Sequence, residues 1–456
     1  MEKIKKTLKN QGKKISRRDF LGGATAAAAF TIIPRHVLGG PGYTPPSEKL
    51  NIAGIGLGGQ GSRDIERVGS ENIVALCDVD DENAAAVFNT YPKARKYHDF
   101  RKMLEKQKDI DAVVIATPDH NHAVISMMAI KMGKHVYCEK PLTHTVYEAR
   151  KVAEAAREAK IATQMGNQGH SSEGIRLVCE WVRDGAIGPV REVQAWTPLP
   201  LRQGKERWWV QGIERPKDEP PVPSTLDWNL WLGPAAYRPY NPAYLPLKWR
   251  AWCDFGTGVL GDQACHTIDI PFWALNLGYP SSVEASSTEV NSETYPKASI
   301  VYYKFPARGK MPAVNLTWYD GGLMPPRPEE LEPGRRMGNE YGGVIFIGDK
   351  GKLICGTYGQ GPRLIPESKM REYKRPPKTL PRSKGHYKDW IGACKGSEIA
   401  SANFDYGGPL TEIALLGNIA IRMGSKLNWD GTNMKITNIP EANEYLHRQY
   451  RKEWAL

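Results

Sequence analysis

Apolar positions in the first third of the chain fall into short runs separated by amphipathic stretches. Runs at Asn51–Ile55, Asn72–Cys77, Ala112–Ala116, His135–Cys138 and Ile161–Met165 are strand-length and rich in Val and Ile. Between them the period lengthens toward that of a helix, from about Ser62, from Pro118 to Met132, and over the stretch before Ile161. Strands alternating with helices indicate parallel βαβ units. The pattern then changes. After a predicted helix at Ser172–Arg183 come alternating strands at Val190–Thr197, Ser282–Val290, Ala298–Phe305, Val314–Tyr319 and Gly343–Gly348, the last closed by the hairpin turn Gly348-Asp349-Lys350-Gly351. A helix at Gly408–Met423 and a strand-like Leu427–Asp430 follow. At 456 residues the chain has material for two domains, each with its own core.

The first strand ends in Gly56-Leu57-Gly58-Gly59-Gln60-Gly61, a G-x-G-x-x-G turn opening a helix. Such a turn suits a pyrophosphate, because it lets backbone approach the phosphates and points a helix N-terminus at their charge. Asp78, 22 residues after Gly56, stands where an acid meets adenosine ribose hydroxyls. Asp80, Asp81 and Glu82 follow with no Lys or Arg before Lys93, which disfavours a 2′-phosphate and selects NAD over NADP. Thr117-Pro118-Asp119-His120-Asn121-His122 and Glu139-Lys140-Pro141 lie beyond two further strand ends, and ligands of open α/β sheets bind at that edge.

Together the glycine turn, Cys77-Asp78, Thr117-Pro118 and Glu139-Lys140-Pro141 resemble the Gfo/Idh/MocA oxidoreductases, which act mostly on sugars and cyclitols. The resemblance covers residues 48–456 and implies an α/β fold. A Rossmann NAD-binding domain at 48–170 is followed by an α/β domain with an open, mostly antiparallel sheet at 171–400. The tail, 401–456, is expected to pack back on the first domain. Gly56, Gly58, Gly59, Gln60, Gly61, Asp78, Thr117, Pro118, His122, Glu139, Lys140 and Gln168 are then expected around the cofactor. Pro141 should end its strand, a cis bond being one route, and so aim Lys140 at nicotinamide and substrate. Gly166-Asn167-Gln168-Gly169-His170 corresponds to a turn beside the nicotinamide, which makes Asn167 and His170 candidates for substrate binding. A histidine at the position of His386 faces substrate in relatives.

A second constellation is Gly256-Thr257-Gly258-Val259-Leu260-Gly261-Asp262-Gln263-Ala264-Cys265-His266. Glycines end where a helix begins, and the i,i+4 spacing puts Asp262 and His266 on one face. D-x-x-x-H resembles the acid/histidine pair of inositol-dehydrogenase-like members. His266 is expected to exchange the hydroxyl proton and Asp262 to orient the hydroxyl or His266, with Lys140 polarising the oxygen. Asp269, one turn on, is expected to be structural.

Composition alters this picture at three places. Formal charge is +12, but residues 1–40 hold nine Lys/Arg against two Asp/Glu, so +7 of it is N-terminal. The remainder mixes both signs, which argues against a nucleic-acid binder. Ser16-Arg17-Arg18-Asp19-Phe20-Leu21 with the apolar run to Ile33 matches a twin-arginine signal within residues 1–40, and that run is too short to span a bilayer. A periplasmic protein that loads its dinucleotide before export is expected, with no membrane anchor. The segment 200–255 is irregular and holds six of the thirteen tryptophans, Trp208, Trp209, Trp228, Trp231, Trp249 and Trp252. Its indoles suit sugar faces and Arg202, Arg207 and Arg250 suit hydroxyls; packing of an insertion is the competing role. The seven cysteines form no C-x-x-C pair, and a Cys253–Cys265 disulfide carries little weight. No metal is expected, His120-x-His122 included.

The reaction these features imply is hydride transfer between a secondary alcohol of a sugar or glycoside and tightly bound NAD, with 3-keto sugars as one product class. Two alternatives stand beside it: an NAD-dependent glycosidase working by transient oxidation and elimination, and a non-catalytic sugar-binding protein with structural NAD. A homo-oligomer, dimer or tetramer, is expected by analogy with relatives.

Overall fold

Val and Ile runs of four to six residues bury best between two layers of helices, and the first sheet of the chain is built this way. The computed structural model describes residues 45–200, 209–397 and 399–456, of which Leu50–Leu456 form one compact unit. Strands β1 (Asn51–Ile55), β2 (Asn72–Cys77), β3 (Arg95–Tyr97), β4 (Ala112–Ile115), β5 (His135–Cys138) and β6 (Thr163–Met165) form a sheet in the order β3-β2-β1-β4-β5-β6. Every pairing in it is parallel. β4, wholly apolar, is buried along its length. The chain reverses direction of progress between β1 and β4, and this opens a crevice at their carboxyl ends. The helix after the glycine turn runs Gln60–Arg67, starting two residues earlier than the periodicity predicts. Helix Val146–Ala159 is held by a capping box in which Thr145 and Glu148 satisfy each other's backbone donors.

The second sheet has nine strands: β7 (Val190–Trp196), β8 (Ser282–Ser287), β9 (Ser299–Phe305), β10 (Val314–Tyr319), β11 (Gly343–Gly348), β12 (Gly351–Gly356), β13 (Arg363–Ile365), β14 (Leu427–Asp430) and β15 (Lys435–Ile436). Their order is β13-β12-β11-β7-β10-β9-β8-β14-β15. All neighbours are antiparallel except β7 and β10. β8 stops at Ser287, short of the predicted Val290, because its partner β9 ends opposite it at Ser299. β6 begins at Thr163 and not at Ile161, since pairing with β5 starts there. Helix Phe404–Met423 lies between the sheets, packed on β8 and on helix Val146–Ala159. The Arg150–Glu412 ion pair (2.9 Å) ties those two helices together.

All seven cysteines are free, so Cys253 and Cys265 are not joined. No helix among the described residues is long and apolar enough to cross a membrane. The twin-arginine segment, Arg202, Arg207 and Trp208 lie outside the described residues.

Candidate active site

The glycine turn closes tightly. Gly56 has φ +80°, and a Cβ there would stand 2.7 Å from the Thr117 nitrogen; Gly61 lies against the Gly56 carbonyl, where a Cβ has no room. The Asp78 carboxylate accepts the Leu57 N–H (2.7 Å) with one oxygen and the Asp80 N–H (3.0 Å) with the other, so the acid of β2 braces the turn from behind. Burial lifts its pKa to about 6 against these two bonds. Gly56, Gly58, Gly59, Asp78, Thr117 and Pro118 all line one cavity of about 680 Å³. That size lies within the range of small-molecule and cofactor sites. Asp78, Asp80 and Glu82 line it, and so does Arg250. A close backbone approach, acids after β2 and a cation fit a dinucleotide.

The outer wall of this cavity is the irregular Pro- and Trp-rich segment. Pro223, Leu226, Trp231, Tyr240, Leu245 and Trp249 face it. Backbone bonds fasten the segment to the first sheet's edge, from Asp81 to the Thr225 carbonyl and from Asp227 to the Val79 carbonyl. His120 and Asn121 reach the Trp231 carbonyl at 3.0 and 3.2 Å. The tail clamps it from outside. Arg451 donates to Gly233 and to both Asn229 oxygens, and buried Trp454 rests near Phe100. Trp209, Trp228, Trp231, Trp249 and Trp252 are all buried, with Trp228 stacked on Trp231 at 4.7 Å; of the five, Trp231 and Trp249 also line the cavity.

Arg250 joins this cavity to a buried ion cluster. The Lys140–Pro141 bond is cis, and Lys140 Nζ donates to Asp262 Oδ1 at 2.6 Å. Arg250 Nε donates to the same oxygen at 3.1 Å, and Gln263 donates to Oδ2 at 2.6 Å. Arg250, placed among substrate ligands by sequence, is thus the third member of a buried ion cluster, its guanidinium over Trp249. Burial would push the Asp262 pKa up, but Lys140 and Arg250 outweigh it and hold it well below the carboxylate range. Burial likewise opposes the Lys140 charge, and Asp262 turns the net shift upward. His266 lies one turn beyond Asp262 on helix Gly258–Thr267. Burial and the Lys140 charge depress its pKa to about 3, so it is neutral at physiological pH. That differs from the near-neutral histidine expected from sequence.

Other candidates serve as framework. His122 joins the Thr117 and Pro141 carbonyls, 2.8 Å each, bolting the β4 and β5 loops together. Gln168 donates to Glu139 (2.6 Å), whose pKa burial raises, with Asp64 adding to the effect. Gln60 bonds Asp64. Asn167 and His170 are both buried and bonded to Asp269, at 3.2 and 2.9 Å, and neither lines the cavity. His386 is also interior, between Ser171 Oγ and the Met165 carbonyl at 2.8 Å each. The substrate roles of these three are corrected to support of the turn, and Asp269 is the structural hub that collects two of them. Both ring nitrogens of His120 and His122 are occupied by protein partners, and no cluster able to hold a metal is present among the described residues. Gln263 and Asp119, which accepts from Thr257 (2.7 Å) behind the cluster, carried no sequence signal of their own.

Fold and site define a two-sheet α/β protein with a cleft that fits a dinucleotide. Residues 50–167 match the NAD-binding Rossmann fold of the Gfo/Idh/MocA oxidoreductase family, and 204–307 match its C-terminal alpha/beta domain. These two matches together span just under half of the chain. It is 30% identical over 196 residues to levoglucosan dehydrogenase of Pseudarthrobacter phenanthrenivorans, covering 43% of this chain and 40% of that one. Over 144 residues it is 30% identical to inositol 2-dehydrogenase of Salmonella paratyphi B, covering 31% and 43%. These matches span less than half the length of either relative. The WlbA dehydrogenase from Bordetella pertussis, solved with NADH and UDP-GlcNAcA, shares the fold with TM-score 0.58 at 17% identity over 84% of this chain and 99% of that one.

Proposed function

We propose that the protein oxidises a secondary alcohol of a sugar or glycoside with NAD held in the cleft. The observation that carries this reading is the Lys140–Asp262–Arg250 cluster, whose Asp262 stands one turn of helix from His266 and whose Arg250 also lines the cavity that holds the glycine turn. Bound NAD supplies the acceptor for the hydride leaving the substrate carbon. The chain's residues handle the oxygen. Lys140, kept cationic by Asp262, donates to it and stabilises negative charge as the C–O bond shortens. His266, neutral, has a lone pair to take the hydroxyl proton, and its low pKa makes that transfer late, in step with hydride departure. Asp262 holds Lys140 in place and in charge.

Retention of NAD, export by the twin-arginine route and formation of 3-keto sugars belong to the same proposal. The wall of Trp231, Tyr240, Leu245 and Trp249 over the cavity supports retention, since release requires that wall to move. The test is mass spectrometry and absorbance on the purified protein with a panel of glycosides. The expected result is co-purified nucleotide and sugar-dependent growth of the reduced-nicotinamide band with loss of two hydrogens from the sugar. Absence of both overturns the reading, and free sugar released without net NADH transfers it to the redox-neutral glycosidase.

A further inference from the structure

Tyr358 follows β12 in the turn Thr357–Gly359, far in sequence from every residue of the cluster. Its backbone has φ 66° and ψ 16°, left-handed territory that a side-chain-bearing residue enters when its surroundings demand it. The surroundings do. The ring lies on the backbone of Gly169, where an added Cβ would come within 3.1 Å of the ring carbon Cγ. Its edge meets the His266 imidazole at 5.0 Å and 75°. The Tyr358 carbonyl is pinned by Ser172 Oγ at 2.8 Å. A turn of the second domain is therefore held in an unfavoured conformation to set one aromatic ring between the β6 turn and the catalytic helix.

The hydroxyl of that ring is left over. It makes no hydrogen bond to any described residue, yet it is not among the enclosed, unpartnered side-chain atoms, so it faces open space. The ring is part-buried while its O–H stays open to a ligand. The charges of Lys140, Asp262 and Glu139 all act on the phenol, which places it within their field, and burial raises its pKa so that it stays a donor at any physiological pH.

We propose that Tyr358 is a substrate-contacting residue: its hydroxyl donates a hydrogen bond to a sugar oxygen lying between His266 and Lys140, and the left-handed turn fixes the ring for that contact. The assignment rests on the dehydrogenase reading above. No proton is transferred; the contact orients the sugar relative to His266 and Lys140.

The test is Tyr358→Phe in the NAD-loaded full chain, which keeps the ring and its packing. NADH formation is followed with whichever of levoglucosan, myo-inositol and glucose the wild type turns over fastest. Loss of a hydrogen bond that strengthens with charge on the substrate is expected to lower kcat/KM about 10- to 100-fold. NADH affinity by fluorescence and the thermal midpoint should stay unchanged. A kcat/KM within about twofold of wild type overturns the proposal. So does a loss of activity matched by an equal loss of NADH affinity or of stability, which would make Tyr358 a packing residue. If the wild type turns over no sugar, the dehydrogenase reading itself fails, and the variant is then compared in sugar binding to the NADH complex; equal affinity there rejects Tyr358 separately.

Discussion

Replacing Asp262 by Asn removes one negative charge from a site that keeps two positive ones. Lys140 Nζ and Arg250 Nε both bond the same oxygen, Oδ1, and the Lys140 and Asp262 side chains are 12% and 8% exposed. Water therefore screens little of the repulsion left behind. Two unit charges about 5 Å apart at an effective dielectric of about 20 repel by about 3 kcal/mol, and breaking a buried pair by deleting one partner costs about 3–5 kcal/mol. The Asp262 pKa is depressed in the folded state, so its contribution is present above the unfolded value of 3.8 and disappears as pH falls through the lower folded value. The Lys140 pKa is raised, so its contribution holds below 10.5 and disappears as pH rises through the higher folded value. The difference in unfolding free energy between wild type and Asp262→Asn should therefore be greatest from about pH 5 upward, shrinking below that as Asp262 of the wild type protonates and shrinking at higher pH once Lys140 of the variant, without its partner, loses its proton. Urea unfolding at a series of pH values measures it. In turnover the variant should acquire a basic limb at lower pH than the wild type, because Lys140 loses the partner that keeps it charged. A variant that unfolds within about 1 kcal/mol of wild type at pH 7 would refute the reasoning, since a solvated surface pair behaves that way.

Three further outcomes follow from the same geometry. Asp78→Ala removes the acceptor of the Leu57 and Asp80 N–H groups and should weaken NADH binding by about tenfold or more in a fluorescence titration; unchanged affinity would show that the turn stands without its brace. Arg451→Ala cuts the tail's bonds to Asn229 and Gly233 and should speed NADH release about 3- to 10-fold in a stopped-flow chase, with equal rates sinking the tail's part in retention. With the His266 pKa held near 3, the wild-type kcat/KM profile should show no acid limb near pH 6.5; a limb there that vanishes in His266→Asn would contradict a neutral, buried histidine.

How much of this was legible in the sequence depends on the range over which each signal acts. The Rossmann edge was legible because its cues are local: a strand, a glycine turn and an acid 22 residues on are read within one βαβ unit. The pair Asp262 and His266 was legible for the same reason, as an i,i+4 spacing on one helix. Lys140 and Asp262 are 122 residues apart, and their bond, with Arg250 joining it, was visible only once the second domain was in place. Asn167, His170 and His386 were misplaced by the same limit. Each is polar and stands at the right edge, but Asp269, about a hundred residues beyond the first two, claims their side chains, and Ser171 with Met165 claims the third. Tyr358 had no local mark beyond the glycine that follows it.

In the Pro- and Trp-rich segment composition left sugar contact and packing of an insertion as competing roles, and the geometry favours packing for most of its indoles. An irregular stretch of this length loses backbone entropy of about 1–2 kcal/mol per ordered residue without a sheet or long helix to offset it. Large aromatic side chains are the densest source of compensating buried area. Trp228 stacks on Trp231, Tyr244 meets Trp252 edge-on at 4.9 Å, and Phe255 packs against Trp231 at 4.8 Å. Trp228 and Trp252 so engaged have no face left for a sugar ring, whereas Trp231 and Trp249 also line the cavity. Their function is carried one step further out, by where this packed segment lies. Its backbone bonds run to Asp81, Val79 and His120 at the carboxyl edge of the first sheet, so the stability won by aromatic packing is applied over the cleft. A segment built to stack on sugars would keep its indoles half-exposed and its backbone free of that edge; this one buries most of them and bonds to the edge, which suits it to wall the cleft.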